Sequence, residues 1–89
     1  MKTIGVIGAG QMGSGIAQTA AQHGYQVILT DVDIAVAEKA RGRIDKAFSR
    51  LVERGKLDAA DARAAIARIT PTGDYAPMAE ADLIIEAAT

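Results

Sequence analysis

The fold is decided by the stretch Thr3-Ile4-Gly5-Val6-Ile7-Gly8-Ala9-Gly10-Gln11-Met12-Gly13. Its first five residues are mostly apolar and stop at Gly8, which is typical of a short strand buried on both faces. Glycines then follow in the pattern G-x-G-x-x-G, and apolar residues recur at helical spacing until Gly24. A strand, a glycine loop and a helix in this order predict the opening unit of a dinucleotide-binding fold.

Each glycine of the loop has its own predicted role. Gly8 permits a tight turn, Gly10 lets a pyrophosphate approach the backbone, and Gly13 lets the helix pack closely on the strand. The phosphates then lie at the N-terminus of a helix that starts near Met12, where free N–H groups favour an anion. A strand-to-helix turn without a ligand is the alternative. We expect the cofactor-binding loop to consist of Gly8, Ala9, Gly10, Gln11, Met12 and Gly13.

A carboxylate follows the second predicted strand, Gln26–Thr30. Asp31 lies 18 residues beyond Gly13, where an acid accepts hydrogen bonds from the ribose hydroxyls of NAD and repels the 2′-phosphate of NADP. The nearest cation that could offset this charge is distant in the sequence. The pattern therefore predicts NAD as the cofactor.

A long helical hairpin is predicted after Asp31. The first helix runs from Ile34 to about Arg54, with Asp33 as its N-cap and Gly55 at its end. Its apolar residues step by three or four, which indicates an amphipathic helix; they are Val36, Ala40, Ile44, Ala47, Phe48 and Leu51.

A second helix and two strands complete the chain. Asp58 is the predicted N-cap of the second helix, and its predicted buried face consists of Ala62, Ala65, Ile66 and Ile69. Residues 69–72 form a weakly supported strand, because Pro71 cannot donate to a ladder. Residues 81–88, with Leu83-Ile84-Ile85, match a buried strand. Helices between most strands predict an α/β fold with a doubly wound parallel sheet of order 3-2-1-4.

The composition excludes several classes of protein. The 89 residues contain no cysteine and one histidine, which excludes a disulfide framework and leaves no ligands for a thiolate or histidine metal site. Ten Lys+Arg against eleven Asp+Glu give a net charge of −1, which argues against a nucleic-acid binder. No apolar run approaches the roughly 20 residues of a membrane span. We expect a cytoplasmic protein.

The near-neutral total conceals a basic segment. Seven basic and three acidic residues lie between Glu38 and Lys56, a net charge of +4. One predicted helix face carries Lys39, Arg43, Lys46, Arg50 and Arg54. Like charges at this spacing repel each other, so the face is a candidate anion site. An ordinary solvated face, with pairs such as Arg41 and Asp45, explains it equally well at this point.

The remaining polar candidates do not predict catalysis. His23 ends the first helix, where it is expected to interact with the helix C-terminus. Ser14 and Ser49 have no histidine partner, and Glu86 has no neighbour that would make it an acid catalyst. Met12 and Met78 are expected to pack, although Met12 lies inside the loop and could touch the cofactor. We therefore predict no catalytic residue.

Residues 8–18, Asp31, the hairpin and residues 81–88 together resemble the N-terminus of the 3-hydroxyacyl-CoA dehydrogenases, and among them the bacterial 3-hydroxybutyryl-CoA type. The resemblance covers the whole chain. It implies a Rossmann domain followed by a helical dimerisation domain in a homodimer. It also implies NAD-dependent oxidation of a 3-hydroxyacyl-CoA to a 3-oxoacyl-CoA, in fatty acid or butanoate metabolism.

The resemblance also assigns residues. It implies that the glycine loop holds the pyrophosphate, that Asp31 holds the adenine ribose, and that Ala87 and Ala88 line the nicotinamide ribose. Basic residues on the hairpin reach the phosphates of coenzyme A; the matching positions are Arg50, Arg54 and Lys56. Arginine replaces the lysine that is usual there and retains the charge.

The family's catalytic serine, histidine, glutamate and asparagine match no residue of this chain. We therefore expect residues 1–89 to form a partial dinucleotide-binding domain that ends before the rest of the Rossmann sheet. Its last strand is then an open apolar edge, where chains pair or swap.

Two alternatives stay open. The first is another NAD-dependent hydroxyacid dehydrogenase, such as the 3-hydroxyisobutyrate kind, which is disfavoured because 37 residues separate Asp31 from Ile69 and those enzymes use a short crossover. The second is a nucleotide-binding module that does not catalyse.

Overall fold

Strands and helices alternate along the chain as predicted. The structure is a computed structural model that describes residues 2–87. The elements are β1 (Thr3–Ile7), α1 (Gln11–Gln22), β2 (Gln26–Thr30), α2 (Ile34–Glu53), α3 (Ala59–Ala67), β3 (Ile69–Thr72), a 3₁₀ turn (Ala76–Glu80) and β4 (Leu83–Glu86).

The described strands form one parallel sheet in the order β3-β2-β1-β4, which confirms the predicted topology. The register places Ile4 of β1 beside Val27 of β2 and Leu83 of β4. Because every strand is parallel, the carboxyl ends meet at one edge of the sheet, which is the edge where such folds bind ligands. The glycine loop and Asp31 both leave the sheet there.

Small side chains bring α1 and α2 close to the sheet. Ala17 and Ala21 of α1 and Ala37 and Ala40 of α2 are fully buried, and Phe48 is the largest fully buried side chain. The predicted face of α2 is wrong at Val36, which is 37% exposed, while its neighbour Ala37 is buried. The buried stripe thus begins one residue later than predicted, because the start of α2 lies beyond the carboxyl edge of the sheet.

The ends of the helices match most of the predicted caps. The Asp33 carboxylate accepts a hydrogen bond from the Ala35 N–H at 2.9 Å, and Gly24 and Gly55 follow α1 and α2 with positive φ angles. Asp58 occupies the N-cap of α3 as predicted, but its side chain makes no capping hydrogen bond within residues 2–87.

The second helix of the hairpin ends earlier than its predicted apolar face. Ile69 is 2% exposed, but it is buried as the first residue of β3 and not as part of α3. Pro71 is tolerated in β3 because this strand lies at the edge of the sheet, where its missing N–H breaks no ladder. The weakly supported strand is therefore confirmed.

The last strand is less buried than predicted. Leu83 and Ile84 of β4 are 43% and 48% exposed, so the prediction of a buried strand is wrong for these two residues. The reason is that β4 lies at the end of the described sheet, with its outer edge open. That chains pair or swap at this edge stays a prediction.

Arg41 has a structural partner other than the one predicted. Its guanidinium donates to the carbonyl of Ile69 at 2.9 Å and to that of Ile66 at 3.0 Å, and not to Asp45. These bonds tie α2 to the junction of α3 and β3, so Arg41 is one basic residue of the segment that serves the fold.

Asp82 fastens the start of β1 to the strand beside it. Its Oδ2 accepts hydrogen bonds from the backbone N–H groups of Lys2 and Thr3, both at 2.9 Å. These two bonds lower the pKa of the Asp82 carboxyl below its ordinary value of 3.8. Because the pKa is lower in the folded state, the stabilisation is present above the unfolded pKa and is lost as the pH falls through the folded pKa.

We expect Asp82→Asn to lower the melting temperature at neutral pH, and this difference from the wild type to shrink when the pH falls below about 4. Thermal unfolding followed by circular dichroism at several pH values measures it. Glu80→Gln, which removes an exposed carboxylate from the preceding turn, is the control. A difference between Asp82→Asn and wild type that stays constant down to pH 2 contradicts this role.

Candidate dinucleotide-binding site

Gly8 makes the turn out of β1. Its φ is +103°, in the region that favours glycine, and its N–H donates to the carbonyl of Thr30 at 2.7 Å. The predicted role of the first glycine is confirmed, and the turn is tied to the end of β2.

Gly13 allows the first turn of α1 to touch the loop. A Cβ at this position would collide with the carbonyl group of Gly8 and come within 3.4 Å of the Val6 side chain. Because the collision is with backbone, no rotation of a side chain relieves it. The third glycine is therefore required for the close packing of the helix on the strand, as predicted.

Gly10 is required by neither its conformation nor its packing. Its φ of −75° and ψ of −163° are extended backbone that any residue adopts. A Cβ added there meets no heavy atom of residues 2–87 within 4 Å. The free space beside this glycine is what a ligand that approaches the backbone needs, and the site therefore fits the pyrophosphate of a dinucleotide.

The N-terminus of α1 offers unpaired donors at the same place. The first intrahelical bond of this helix runs from the Ser14 N–H to the Gly10 carbonyl at 2.9 Å, so the N–H groups of Gln11, Met12 and Gly13 precede it. In the described part of the chain no side chain caps α1, and its first turn contains no acidic residue. The helix end is therefore suited to bind an anion.

Met12 and Met78 differ in their surroundings. Met78 is 6% exposed and packs as predicted, whereas Met12 is 59% exposed. The packing prediction is thus wrong for Met12, which lies in the first turn of α1.

Asp31 contacts the glycine loop directly. Its Oδ2 accepts a hydrogen bond from the Ala9 N–H at 3.0 Å, and its Oδ1 lies 3.4 Å from the Asp33 N. A carboxylate has about four acceptor positions, so Asp31 retains capacity for the hydroxyls of a ribose. The structure adds a role that the sequence did not reveal, since Asp31 also holds the loop.

Ala87 lies at the same carboxyl edge of the sheet. Its N–H donates to the carbonyl of Ile7 at 2.7 Å, directly before the glycine loop. The structure therefore brings Ala87 close to residues 8–13. Ala88, which was predicted to bind the cofactor with it, lies outside the described residues.

Arg43 reaches the loop from α2. One guanidinium nitrogen lies 3.2 Å from the Ser14 hydroxyl and 3.4 Å from the Ala9 carbonyl oxygen. Spacing along the sequence does not predict this contact, because Arg43 lies 34 positions after Ala9. Only the packing of α2 against α1 brings Arg43 to the loop.

The predicted residues for coenzyme A lie elsewhere. Arg50, Arg54 and Lys56 are exposed at the end of α2 and just beyond it. Arg50 lies seven positions further along the helix than Arg43, which places them roughly 10 Å apart along the axis. Within the basic segment, Arg41 and Arg43 thus make hydrogen bonds to other parts of the fold. Arg50, Arg54 and Lys56 form an exposed basic end.

His23 interacts with the end of its own helix. The ring Nδ1 of His23 lies 2.7 Å from the Thr19 carbonyl, which confirms its predicted place at the C-terminus of α1. Within residues 2–87, no three His, Asp or Glu side chains are grouped so that they could hold a metal ion. Among those same residues, no helix has the length and apolar character that crossing a bilayer demands.

Comparison with known proteins identifies the family. Residues 3–89 match the family model of the 3-hydroxyacyl-CoA dehydrogenase NAD-binding domain. The chain belongs to this family. NAD is the cofactor of the 3-hydroxyacyl-CoA dehydrogenase NAD-binding domain, in agreement with the acid at Asp31 and the open space at Gly10.

Longer proteins contain similar domains. A 3-hydroxyadipyl-CoA dehydrogenase from Escherichia coli K12 is 42% identical over 89 residues, which are all of this chain and 19% of that protein. The crystal structure of a 3-hydroxybutyryl-CoA dehydrogenase from the same organism has a TM-score of 0.96 at 42% identity, over 99% of this chain and 19% of that one. That of an (S)-3-hydroxybutyryl-CoA dehydrogenase from Ralstonia eutropha also has a TM-score of 0.96, at 38% identity, over 100% and 31%. The chain therefore spans less than a third of these relatives.

The two glycines of α1 provide a matched pair of variants. We expect Gly13→Ala to lower the free energy of unfolding by about 1 to 3 kcal/mol, because the added methyl group displaces the Gly8 carbonyl. Gly15→Ala, where a Cβ meets open space, should be neutral or raise that free energy by up to about 1 kcal/mol. Urea unfolding of both variants measures the difference, and equal effects would refute the packing role of Gly13.

Proposed function

We propose that this chain is the cofactor-binding part of an NAD-dependent 3-hydroxyacyl-CoA dehydrogenase, an oxidoreductase that converts a 3-hydroxyacyl-CoA to a 3-oxoacyl-CoA in fatty acid or butanoate metabolism. The observation that carries the proposal is the loop from Gly8 to Gly13. It keeps open space at Gly10, free N–H groups at the start of α1, and the Asp31 carboxylate within 3.0 Å of the Ala9 nitrogen.

We propose separate roles for the cofactor, the N–H groups of α1 and Asp31. NAD supplies the hydride acceptor when it is bound. The N–H groups at the start of α1 hold its diphosphate, and Asp31 accepts hydrogen bonds from its ribose hydroxyls. We assign no catalytic residue in this chain, so its own part in the reaction is to bind and orient the cofactor.

The domain boundaries are part of the proposal. Residues 1–89 form the first part of a dinucleotide-binding domain, to which further strands and a helical dimerisation domain are added. Two observations support this reading: the chain spans 19% and 31% of the relatives with known structure, and Leu83 and Ile84 expose apolar surface on β4.

The substrate is proposed to be an acyl-CoA. Arg50, Arg54 and Lys56 are exposed together where α2 ends, and guanidinium groups bind phosphate through paired hydrogen bonds. Similar proteins are named for their action on 3-hydroxyadipyl-CoA and 3-hydroxybutyryl-CoA. The whole protein is proposed to be a cytoplasmic homodimer, on the strength of the family resemblance.

An activity assay tests the central proposal. The protein that carries this chain is incubated with 3-hydroxybutyryl-CoA and NAD, and the formation of NADH is followed by its absorbance. We expect NADH to form, and to form much more slowly with NADP as the acceptor. Absence of turnover with 3-hydroxyacyl-CoA substrates of several chain lengths would refute the proposed activity.

Asp31 determines the expected choice of cofactor. We expect Asp31→Ala to weaken NAD binding by about tenfold and to narrow the preference for NAD over NADP, because the ribose loses its acceptor and the 2′-phosphate loses a repelling charge. Isothermal titration with both dinucleotides measures this. Asp45→Ala, which removes an exposed acid from the middle of α2, is the control. If Asp31→Ala discriminates between NAD and NADP as the wild type does, Asp31 does not select the cofactor.

The exposed basic end of α2 has its own test. We expect the double variant Arg50→Ala, Arg54→Ala to bind coenzyme A about tenfold more weakly, with a loss that diminishes as salt is added. Lys39→Ala with Arg63→Ala removes the same charge from other exposed positions. If both double variants bind coenzyme A like the wild type, this end of α2 is an ordinary solvated surface.

A further inference from the structure

The backbone of Ala9 is held on both sides. Ala9 is fully buried. Its N–H donates to Asp31 Oδ2 at 3.0 Å, and its carbonyl oxygen lies 3.4 Å from a guanidinium nitrogen of Arg43. This one residue thus connects Asp31, which follows β2, with the middle of α2, and it directly precedes Gly10.

Ser14 completes this arrangement. Ser14 is a buried residue with 9% of its surface exposed. Its hydroxyl accepts from Arg43 at 3.2 Å and lies 3.5 Å from the Ala9 carbonyl oxygen. One guanidinium therefore bridges the loop and the second turn of α1. We call these three residues the Arg43–Ser14–Ala9 cluster.

We propose that Arg43 is a positioning residue for the dinucleotide. It positions the Ala9 backbone through the carbonyl oxygen, and the N–H of the same residue in turn orients the Asp31 carboxylate toward the ribose. The proposal rests on the proposed function, since it concerns the same cofactor. Arg43 acts through Ala9 and Ser14 and makes no assigned contact with the cofactor.

In this proposal, Arg43 strengthens NAD binding through its contacts and not through its charge alone. Lys46 lies on the same helix three residues further on and is an exposed cation, so it contributes a similar long-range charge. The two residues differ in that Arg43 bonds to the Ala9 carbonyl oxygen and to the Ser14 hydroxyl. Removal of each charge in turn therefore separates general electrostatics from positioning.

The test compares Arg43→Met with Lys46→Met and Arg43→Lys. We expect Arg43→Met to raise the Kd of NAD about fivefold, and Lys46→Met to leave it within about twofold. Arg43→Lys should recover most of the affinity, because an ammonium group still donates to both acceptors. The ratio of the Kd values for NADP and NAD should fall in Arg43→Met, since it reports the orientation of Asp31 and not the stability of the fold.

A double-mutant cycle tests whether Arg43 and Ser14 act together on NAD binding. Ser14→Ala and Arg43→Met should weaken NAD binding by less in combination than the product of their separate effects. Melting temperatures are measured for each variant, and Arg43→Gln replaces Arg43→Met in every comparison if the latter does not fold.

Several results would overturn the positioning role. They are an Arg43→Met variant that binds NAD like the wild type or like Lys46→Met, an Arg43→Lys variant no better than Arg43→Met, an unchanged cofactor ratio, or independent effects of Ser14 and Arg43. A wild-type protein that does not bind NAD would instead refute the proposed function, so the two failures are distinct.

Discussion

The close contact between Gly13 and the carbonyl of Gly8 is the constraint on which the rest of the molecule depends. It sets the distance at which α1 leaves the loop, because any side chain at residue 13 would strike backbone. At that distance Ala17 and Ala21 are fully buried against the sheet. Alanine side chains fill the space between the helix and the sheet only when the helix approaches this closely.

The same contact fixes the position of the glycine loop, which forms the binding site. Neighbouring elements then hold the loop at separate points: Thr30 accepts the N–H of Gly8, Asp31 accepts the N–H of Ala9, and Arg43 lies beside the Ala9 carbonyl oxygen. A Cβ at Gly10 would meet no heavy atom of residues 2–87 within 4 Å. The loop is thus ordered before a ligand arrives, which lowers the entropy that is lost on binding.

Most of the fold follows from local patterns in the sequence. The strand order, Asp33 as a cap and the glycines after α1 and α2 are confirmed, because apolar periodicity and backbone conformation depend on neighbouring residues. The errors at Val36 and Leu83 share one cause. Apolar character indicates a tendency to be buried, but the end of an element or the edge of a sheet decides whether a neighbour is there to cover it.

For the site, the sequence by itself determined the glycine loop and the acid at Asp31, since each depends on a fixed spacing along the chain. The partners of the arginines were decided only by the tertiary structure. Arg41 bonds to carbonyls at the start of β3, and Arg43 bonds to Ala9, 34 residues earlier. Such contacts are set by how closely α2 packs on α1 and β3, and no local pattern in the sequence encodes that distance.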